Sequence, residues 1–226
     1  MGLVDPFRIS GKAQLVHRAS LANYGAVEVL DLPRERFGDA SLVMADAFVD
    51  DPGWRAVGPN DPARLHRYIQ RVCRGVLNVC ARRGGRIWHV ERDGRTVGVL
   101  SSLDPGQWPP PQPSAMLAQA LGPTLAGPAV VWRSLSADTT MHKGHPEDYH
   151  FFVWMLSVAP AAQRSGVGRA LLSTALKRAD EFGVPTYLDT AKPDNLPYYG
   201  SFGFEPIGQT QLPRGAPLWF MSRAMR

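Results

Sequence analysis

Residues 151–204 do more than any other stretch to limit the folds open to this chain. An apolar run, FFVWMLSV, ends at Val158, a short turn holds Gln163-Arg164-Ser165-Gly166-Val167-Gly168, and an amphipathic helix follows at once. The run has the length of a buried strand. The helix, Val167–Phe182, is predicted to bury Val167, Leu171, Ala175, Ala179 and Phe182 on one face. Gly166 and Gly168 let the backbone approach a bulky anion, at which the free N–H groups of a first helical turn point. Thr186–Thr190 then reads as a further strand, followed by Asn195, Tyr198-Tyr199 and Gly203-Phe204 around a short helix near Leu196–Phe202.

Two other phosphate-binding patterns fail on the same residues. Gly166-x-Gly168 with Asp189 about 20 residues downstream imitates a dinucleotide fingerprint. Its third glycine position is Leu171, however, and Ala159–Ser165 separate Val158 from Gly166, where that fold turns straight into its first glycine. A Walker A loop needs Lys-Ser or Lys-Thr where this chain has Arg169-Ala170.

Elsewhere, residues 1–24 show weak periodicity and read as an extension, and Ala26–Leu30 as a first strand. Pro33 opens a helical pattern turning Phe37, Leu42, Met44, Ala45 and Phe48 inward, which Asp51-Pro52-Gly53 ends. Asp61-Pro62 is a cap with proline at the first helical position. The helix it opens carries Leu65, Tyr68, Ile69, Val72, Cys73, Val76 and Cys80, and stops at Gly84-Gly85. Arg86–Glu91 and Thr96–Ser102 flank the hairpin turn Asp93-Gly94, with Ile87, His89 and Glu91 alternating against Trp88 and Val90, as in a sheet with one face more buried. Residues 104–113, DPGQWPPPQP, break regular structure. Ser114–Leu121 and Leu125–Leu135 read as helices and Ser136–Asp148 as a polar loop. Glu205–Leu212 and Leu218–Arg223 are closing strands around a turn at Pro213–Pro217. The order fits one mixed α/β domain over residues 1–226, with residues 104–148 as a Pro-rich insertion.

Strand, anion-cradling turn, helix, strand, then Asn195, Tyr198-Tyr199 and Gly203-Phe204 resembles the acetyl-CoA core of the GNAT superfamily of N-acetyltransferases. The likeness is close over about a quarter of the chain. HFFVWMLSVAPAAQRSGVGRALL and YLDTAKPDNLPYYGSFGFEPIG, with ADAFVDDP and the Pro-Gly-x-Trp-Pro stretch at Pro105–Pro109, look most like the puromycin N-acetyltransferase group, which acts on small amines. The resemblance implies a single, mostly antiparallel sheet with helices on both faces, and acetyl-CoA as cofactor. It assigns the pyrophosphate to N–H groups across Gln163, Arg164, Ser165, Gly166, Val167, Gly168, Arg169 and Ala170. Arg164 and Arg169 add charge, toward the pyrophosphate or the adenosine 3′-phosphate. Arg164-Ser165 departs from the Gly-Lys or Gly-Arg frequent in the family, a change that backbone binding tolerates. The strand end Met155, Leu156, Ser157 and Val158 would pair with the pantetheine arm, Asn195 would hydrogen-bond its amide, and Tyr199, five residues before Phe204, would be the general acid for the departing thiolate. A tyrosine hydroxyl, with a reference pKa of about 10, is protonated at neutral pH and suits that role. Tyr198 is expected to point the other way, into the core.

The base has no motif around it: Glu147, Asp148 and His150 before the strand, or Glu91 in the hairpin, are the candidates. The acceptor pocket is placed under the insertion, where Trp54, Trp108 and Trp154 bring three indoles beside the thioester, with His150 nearby. Aromatic faces suit a small, partly apolar cationic amine.

Composition narrows the partners. The net charge of +5 is scattered and mostly Arg, without the interleaved basic and aromatic cluster that nucleic acid requires. No run approaches the roughly 20 apolar residues of a membrane span, and the N-terminus lacks a signal peptide's apolar block. Cys73 and Cys80 sit about 10 Å apart along one helix, beyond the roughly 7 Å reach of a disulfide, and read as reduced core residues. The histidines read as surface or hairpin residues without metal-ligand spacing. A cytoplasmic enzyme follows, monomer or homodimer, acting on a small-molecule amine. A peptide or protein N-acetyltransferase and a non-catalytic acyl-CoA-binding module are the alternatives.

Overall fold

The computed structural model describes residues 27–108 and 127–225. The expected extension over residues 1–24, the expected helix Ser114–Leu121 and the prolines after Trp108 lie outside them, as does Ala26 of the expected first strand.

Strands β1 (Leu30–Asp31), β2 (Arg86–Arg92), β3 (Arg95–Leu103), β4 (Phe151–Val158), β5 (Thr186–Thr190), β6 (Glu205–Gln211) and β7 (Pro217–Arg223) form one sheet, in the order β1-β2-β3-β4-β5-β7-β6. Every neighbouring pair is antiparallel except β4 with β5. Helices α1 (Phe37–Phe48), α2 (Pro52–Val57), α3 (Pro62–Arg82) and α4 (Pro128–Gly144) cover one face, where Phe37, Met44, Ile69, Leu77, Val130 and Ala137 pack on Ile87, Val99, Phe152 and Tyr187. On the other face, α5 (Val167–Phe182) lays Val167, Leu171, Leu172, Ala175 and Ala179 over Trp88, Leu100, Phe151, Val153 and Leu188, beside Tyr199 of α6 (Asn195–Gly200). This is the mixed, mostly antiparallel sheet with helices on both faces that the sequence implied.

Local chemistry sets the boundaries. Asp61 caps α3 by accepting from the Arg64 N–H at 2.8 Å, with Pro62 in the first turn. The β2–β3 turn puts Asp93 and Gly94 at φ of 51° and 74°, the primed geometry that joins twisted strands without splaying them. Cys73 and Cys80 are buried and unpaired. Arg178 of α5 clamps Asp104 through two nitrogens and fixes the start of the insertion to that helix.

Several expectations fail for identifiable reasons. Asp51-Pro52-Gly53 ends α1 but opens α2: Asp51 accepts from the N–H groups of Gly53 and Trp54 at 2.9 and 3.3 Å, so Trp54 lies in the first turn of a new helix. Leu42 and Phe182 are exposed, while Ala40 and Ser41 turn inward on α1. Both faces of β2 are covered, burying Ile87, Trp88, His89 and Val90 alike. The first strand shrinks to Leu30–Asp31. The expected polar loop at 136–148 is helical as far as Gly144, with the hydroxyls of Ser134, Thr139 and Thr140 turned back to carbonyls one turn earlier so that their polarity is met within the helix. Among the described residues no helix is long and apolar enough to cross a membrane.

Candidate active site

Strands β4 and β5 pair only at Phe151↔Thr186 and Phe152↔Tyr187, although β4 continues to Val158 and β5 to Thr190. Beyond those two rungs the strands part, and β4 keeps its β3 partner while its other edge is open toward β5. A bulge adds to the change of course. Ser101 and Ser102 pair with Met155 and Val153, leaving Trp154 as the extra residue, so Trp154 and Met155 both turn toward the α1–α4 face.

At one end of the gap lies the start of α5. Gly166 adopts φ 85° and no side chain caps the helix, so its first-turn N–H groups face outward without an internal acceptor. Ser165 Oγ donates to the Ala162 carbonyl at 2.6 Å and Gln163 Nε2 to the Val158 carbonyl at 3.2 Å, which fixes the turn without filling it. A Cβ on Gly168 would stand 3.2 Å from Tyr198 Oη and 3.5 Å from Val158 Cγ2. Arg164 occupies a left-handed conformation at φ 58°, and the Arg169 guanidinium lies over Phe202, 5.2 Å from the ring centre. Backbone donors, a helix dipole and two arginines make this an anion cradle.

At the other end, on the α1–α4 face, is a cavity of about 270 Å³. Trp54, Trp108 and Trp154 all line it, as do Leu156, Asn195 and Tyr199. Trp108 stacks on His145 with ring centres 3.8 Å apart and meets Phe152 edge-on at 5.1 Å. Asn195 donates from Nδ2 to Thr190 Oγ1 at 3.0 Å, so its side chain spans back to β5 and does not cap α6. Tyr199 is buried, and desolvation, then Tyr198, Asp189 and Asp51, push its hydroxyl above the usual phenol range. Tyr198 packs its ring against the α5-side core, as expected. Its buried hydroxyl lies against Gly168 with no partner among the described residues, and burial raises it to about 12.

The expected bases are dispersed. Glu91 pairs with Arg36, and Glu147 and Asp148 are exposed. His150 is buried one ring behind the cavity wall, its Nε2 2.9 Å from His145 Nε2. His145 and His150 are thus buried, against the surface reading, while His89 lies in the β2–β3 hairpin and is buried there. Burial, then the His150 and His142 charges, lower His145 to about 3. Among the described residues no three His, Cys, Asp or Glu side chains are grouped to hold a metal ion.

Sequence reasoning missed Asp51 and Asp189 as cavity residues. Gly53 packs so tightly on the end of β5 that a Cβ there would stand 2.8 Å from Ala191 Cβ, which brings the Asp51 cap beside Asp189. Desolvation, then the Asp51 charge, raise Asp189 to about 7. The available signal was a lone acid in the strand TYLDT, two residues after Tyr187 and so on the same face.

A sheet that opens between two strands, with an anion cradle on one side and an aromatic-lined cavity on the other, serves group transfer from a phosphate-bearing donor. The chain belongs to the Acetyltransferase (GNAT) family, whose model matches residues 54–204, and is an N-acetyltransferase that uses acetyl-CoA. Among similar solved structures is a histone acetyltransferase HPA2 and related acetyltransferase from Corynebacterium glutamicum. It has a TM-score of 0.67 at 20% identity, over 89% of this chain and 98% of that one. The C-terminal condensation domain of Ebony, in complex with β-alanyl-dopamine, gives 0.61 at 11% identity, over 87% and 98%. A PaiA N-acetyltransferase from Thermoplasma acidophilum, in complex with coenzyme A, gives 0.52 at 13% identity, over 88% and 99%. At these identities the likeness is one of fold.

Proposed function

We propose that the chain acetylates the primary amine of a small molecule, with acetyl-CoA held along β4 and the α5 turn and the amine in the aromatic cavity. The observation that carries this reading is the gap between β4 and β5, which joins the uncapped start of α5 to a cavity lined by Tyr199. Acetyl-CoA supplies an activated acetyl group. N–H groups from Gln163 to Ala170 receive its pyrophosphate, with charge from Arg164 and Arg169. The narrow space at Gly168, which a side chain would fill, supports that fit.

Leu156, Ser157 and Val158 offer the open backbone edge of β4 to the extended pantetheine arm, in the manner of an added strand. Asn195 has committed its N–H to Thr190, so its carbonyl oxygen is left to accept from a pantetheine amide. Tyr199 donates its hydroxyl proton to the leaving sulfur. Its raised pKa keeps it in the donor form until charge develops there.

A small acceptor fits a cavity of about 270 Å³ lined by three indoles, and the resemblance to the puromycin N-acetyltransferase group agrees. The test is a panel of small amines and peptides with free N-termini, mixed with acetyl-CoA while thiol release is followed. Small amines are expected to be turned over fastest. A preference for peptides, or no release with any acceptor, overturns the reading in favour of a peptide acetyltransferase or a binding module.

A further inference from the structure

We propose that Asp189 is the group that binds the acceptor's ammonium and takes its proton, and that the acceptor is a cationic amine with a flat apolar body. This rests on reading the cavity as the amine site.

The first argument is charge. The chain carries a net charge of +5, yet the cavity is lined by Asp51, Asp138 and Asp189 and, among the described residues, by no Lys or Arg. A basic protein that gives one cavity three carboxylates and, among its described residues, no lining Lys or Arg has shaped that space for a positive guest. The three indoles supply faces for the guest's apolar body and add cation–π attraction near its charge.

The second is position. Asp189 follows Tyr187 on the same face of β5 and lies beyond the last rung shared with β4, hence at the opening where cradle and cavity meet. Asp189 and Asp51 are the carboxylates near enough to Tyr199 to act on its hydroxyl, and Asp138 on α4 is not. Base and acid are thereby drawn to one place.

The third is the state of the carboxylate. Asp51 is occupied as a helix cap, accepting two N–H groups. Asp189 has no side-chain hydrogen bond and no ion pair among the described residues. A desolvated carboxylate left without a partner costs free energy that a bound cation recovers. Its elevated pKa of about 7 places it where a base is half ionised near neutrality, the condition for efficient proton transfer. His145, lowered to about 3 and engaged with His150, is too weak a base for the task.

The proton balance is simple. One Asp189 oxygen takes a proton from the R–NH3⁺ nitrogen, leaving a neutral carboxylic acid and R–NH2 with a free lone pair. The nitrogen attacks the acetyl carbon, the C–S bond breaks as the thiolate takes the Tyr199 proton, and the second nitrogen proton restores the Tyr199 hydroxyl. The proton held by Asp189 returns to solvent when product leaves. The charged and titratable groups around Asp189 are Asp51 from the α2 cap, with Lys192 near it, Tyr187 on its own strand and Tyr199 from α6. Asp138, His142 and His145 stand across the cavity on α4 and just after it.

Calorimetric binding of 2-phenylethylamine, with 2-phenylethanol as its neutral counterpart, tests this on wild type and Asp189→Asn without acetyl-CoA. In wild type, amine binding should tighten as pH rises through about 7, with a proton released to buffer from Asp189. In Asp189→Asn it should weaken at least about tenfold and lose that pH dependence, while 2-phenylethanol binds both proteins alike. CoA affinity should be unchanged and kcat should fall by about 10²–10⁴. Equal amine affinity and equal pH dependence in the two proteins overturn the role of Asp189 and leave the amine cavity standing. Loss of 2-phenylethanol along with the amine makes the effect one of shape, and the inference fails. Amine binding absent from wild type overturns the cavity reading and this inference with it.

Discussion

Gly168→Asp separates a cofactor cradle from a merely tight helix start, because the two readings give opposite signs for folding and for binding. A Cβ at Gly168 stands 3.2 Å from Tyr198 Oη, the tip of a side chain that can yield by tenths of an ångström. For folding, the substitution replaces a helical glycine, which costs about 1 kcal/mol relative to alanine. It also puts a carboxylate in the first turn of α5, favourable to the helix dipole by roughly 0.3–1 kcal/mol. The melting temperature should therefore hold or rise slightly. For binding, the carboxylate comes within about 5 Å of any anion seated on the first-turn N–H groups. One pair of like charges at that distance, at an effective dielectric near 20, costs about 3 kcal/mol, or roughly 150-fold in affinity. Titration calorimetry with CoA reads the loss and a thermal melt reads the fold. A variant that melts like the parent and binds CoA within about threefold of it refutes the assignment of the pyrophosphate to this turn.

Tyr199→Phe removes a hydroxyl and almost no volume, so CoA affinity should survive while kcat falls by about 10²–10⁴ in single-turnover kinetics. Tyr198→Phe should leave kcat near the parent value. Trp108→Ala should raise the acceptor KM with acetyl-CoA affinity unchanged. Because Trp108 also stacks on His145, some fall in melting temperature is expected too, and a fall in stability without any change in KM would limit Trp108 to structure. Asp189→Asn should raise the melting temperature of the unliganded protein at about pH 8. Its folded pKa of about 7 exceeds the unfolded value near 3.9, so the native state binds the extra proton between them and stability falls as pH rises through that window. A purely structural aspartate gives the opposite sign. Asp61→Ala removes the α3 cap, worth about 1 kcal/mol, and should lower the melting temperature by about 2–4 °C.

What was legible in the sequence was local. The bounds of β4, α5 and β5 follow from an apolar run, two glycines and a helical repeat within a few dozen residues, and the structure reproduces them. Helix α4 was not legible past Leu135, because its serines and threonines satisfy themselves on their own backbone and their polarity mimics a loop. The three indoles share a cavity as expected, although Trp54 arrives there on a helix the sequence reading had merged into a stop signal. The place of Asp189 in the cavity escaped notice because it depends on what packs across from it. The packing of Gly53 on Ala191 and Leu212 brings the Asp51 cap near it, and those partners are far apart in sequence. The histidine pair was invisible for the same reason: a spacing of five residues says nothing until the chain folds His145 onto Tyr187 and Trp108.

The two sides of the β4–β5 gap carry opposite electrical character, and one short helix faces both. On the cradle side, the α5 dipole is joined by Arg164, Arg169 and Arg92, whose Nη2 donates to the Ser165 carbonyl at 3.4 Å. On the cavity side, three aspartates and, among the described residues, no lysine or arginine line the wall. Under the proposed function, this charge pattern would repel an anionic nucleotide from the cavity and a cationic amine from the cradle, guiding each to its own side before any shape is read. Tyr198 and Tyr199, adjacent on α6, fall about 100° apart around the helix. The first lays its hydroxyl against Gly168 in the cradle, and the second lines the cavity. Removing the Asp51 charge while keeping its capping oxygen, as Asp51→Asn does, should therefore act on the cavity side alone. The Asp189 titration should move down from about 7, drawing the acid limb of the amine-binding profile with it, while CoA affinity stays where it was. A change in CoA affinity of comparable size would show that the two compartments are not electrically separate.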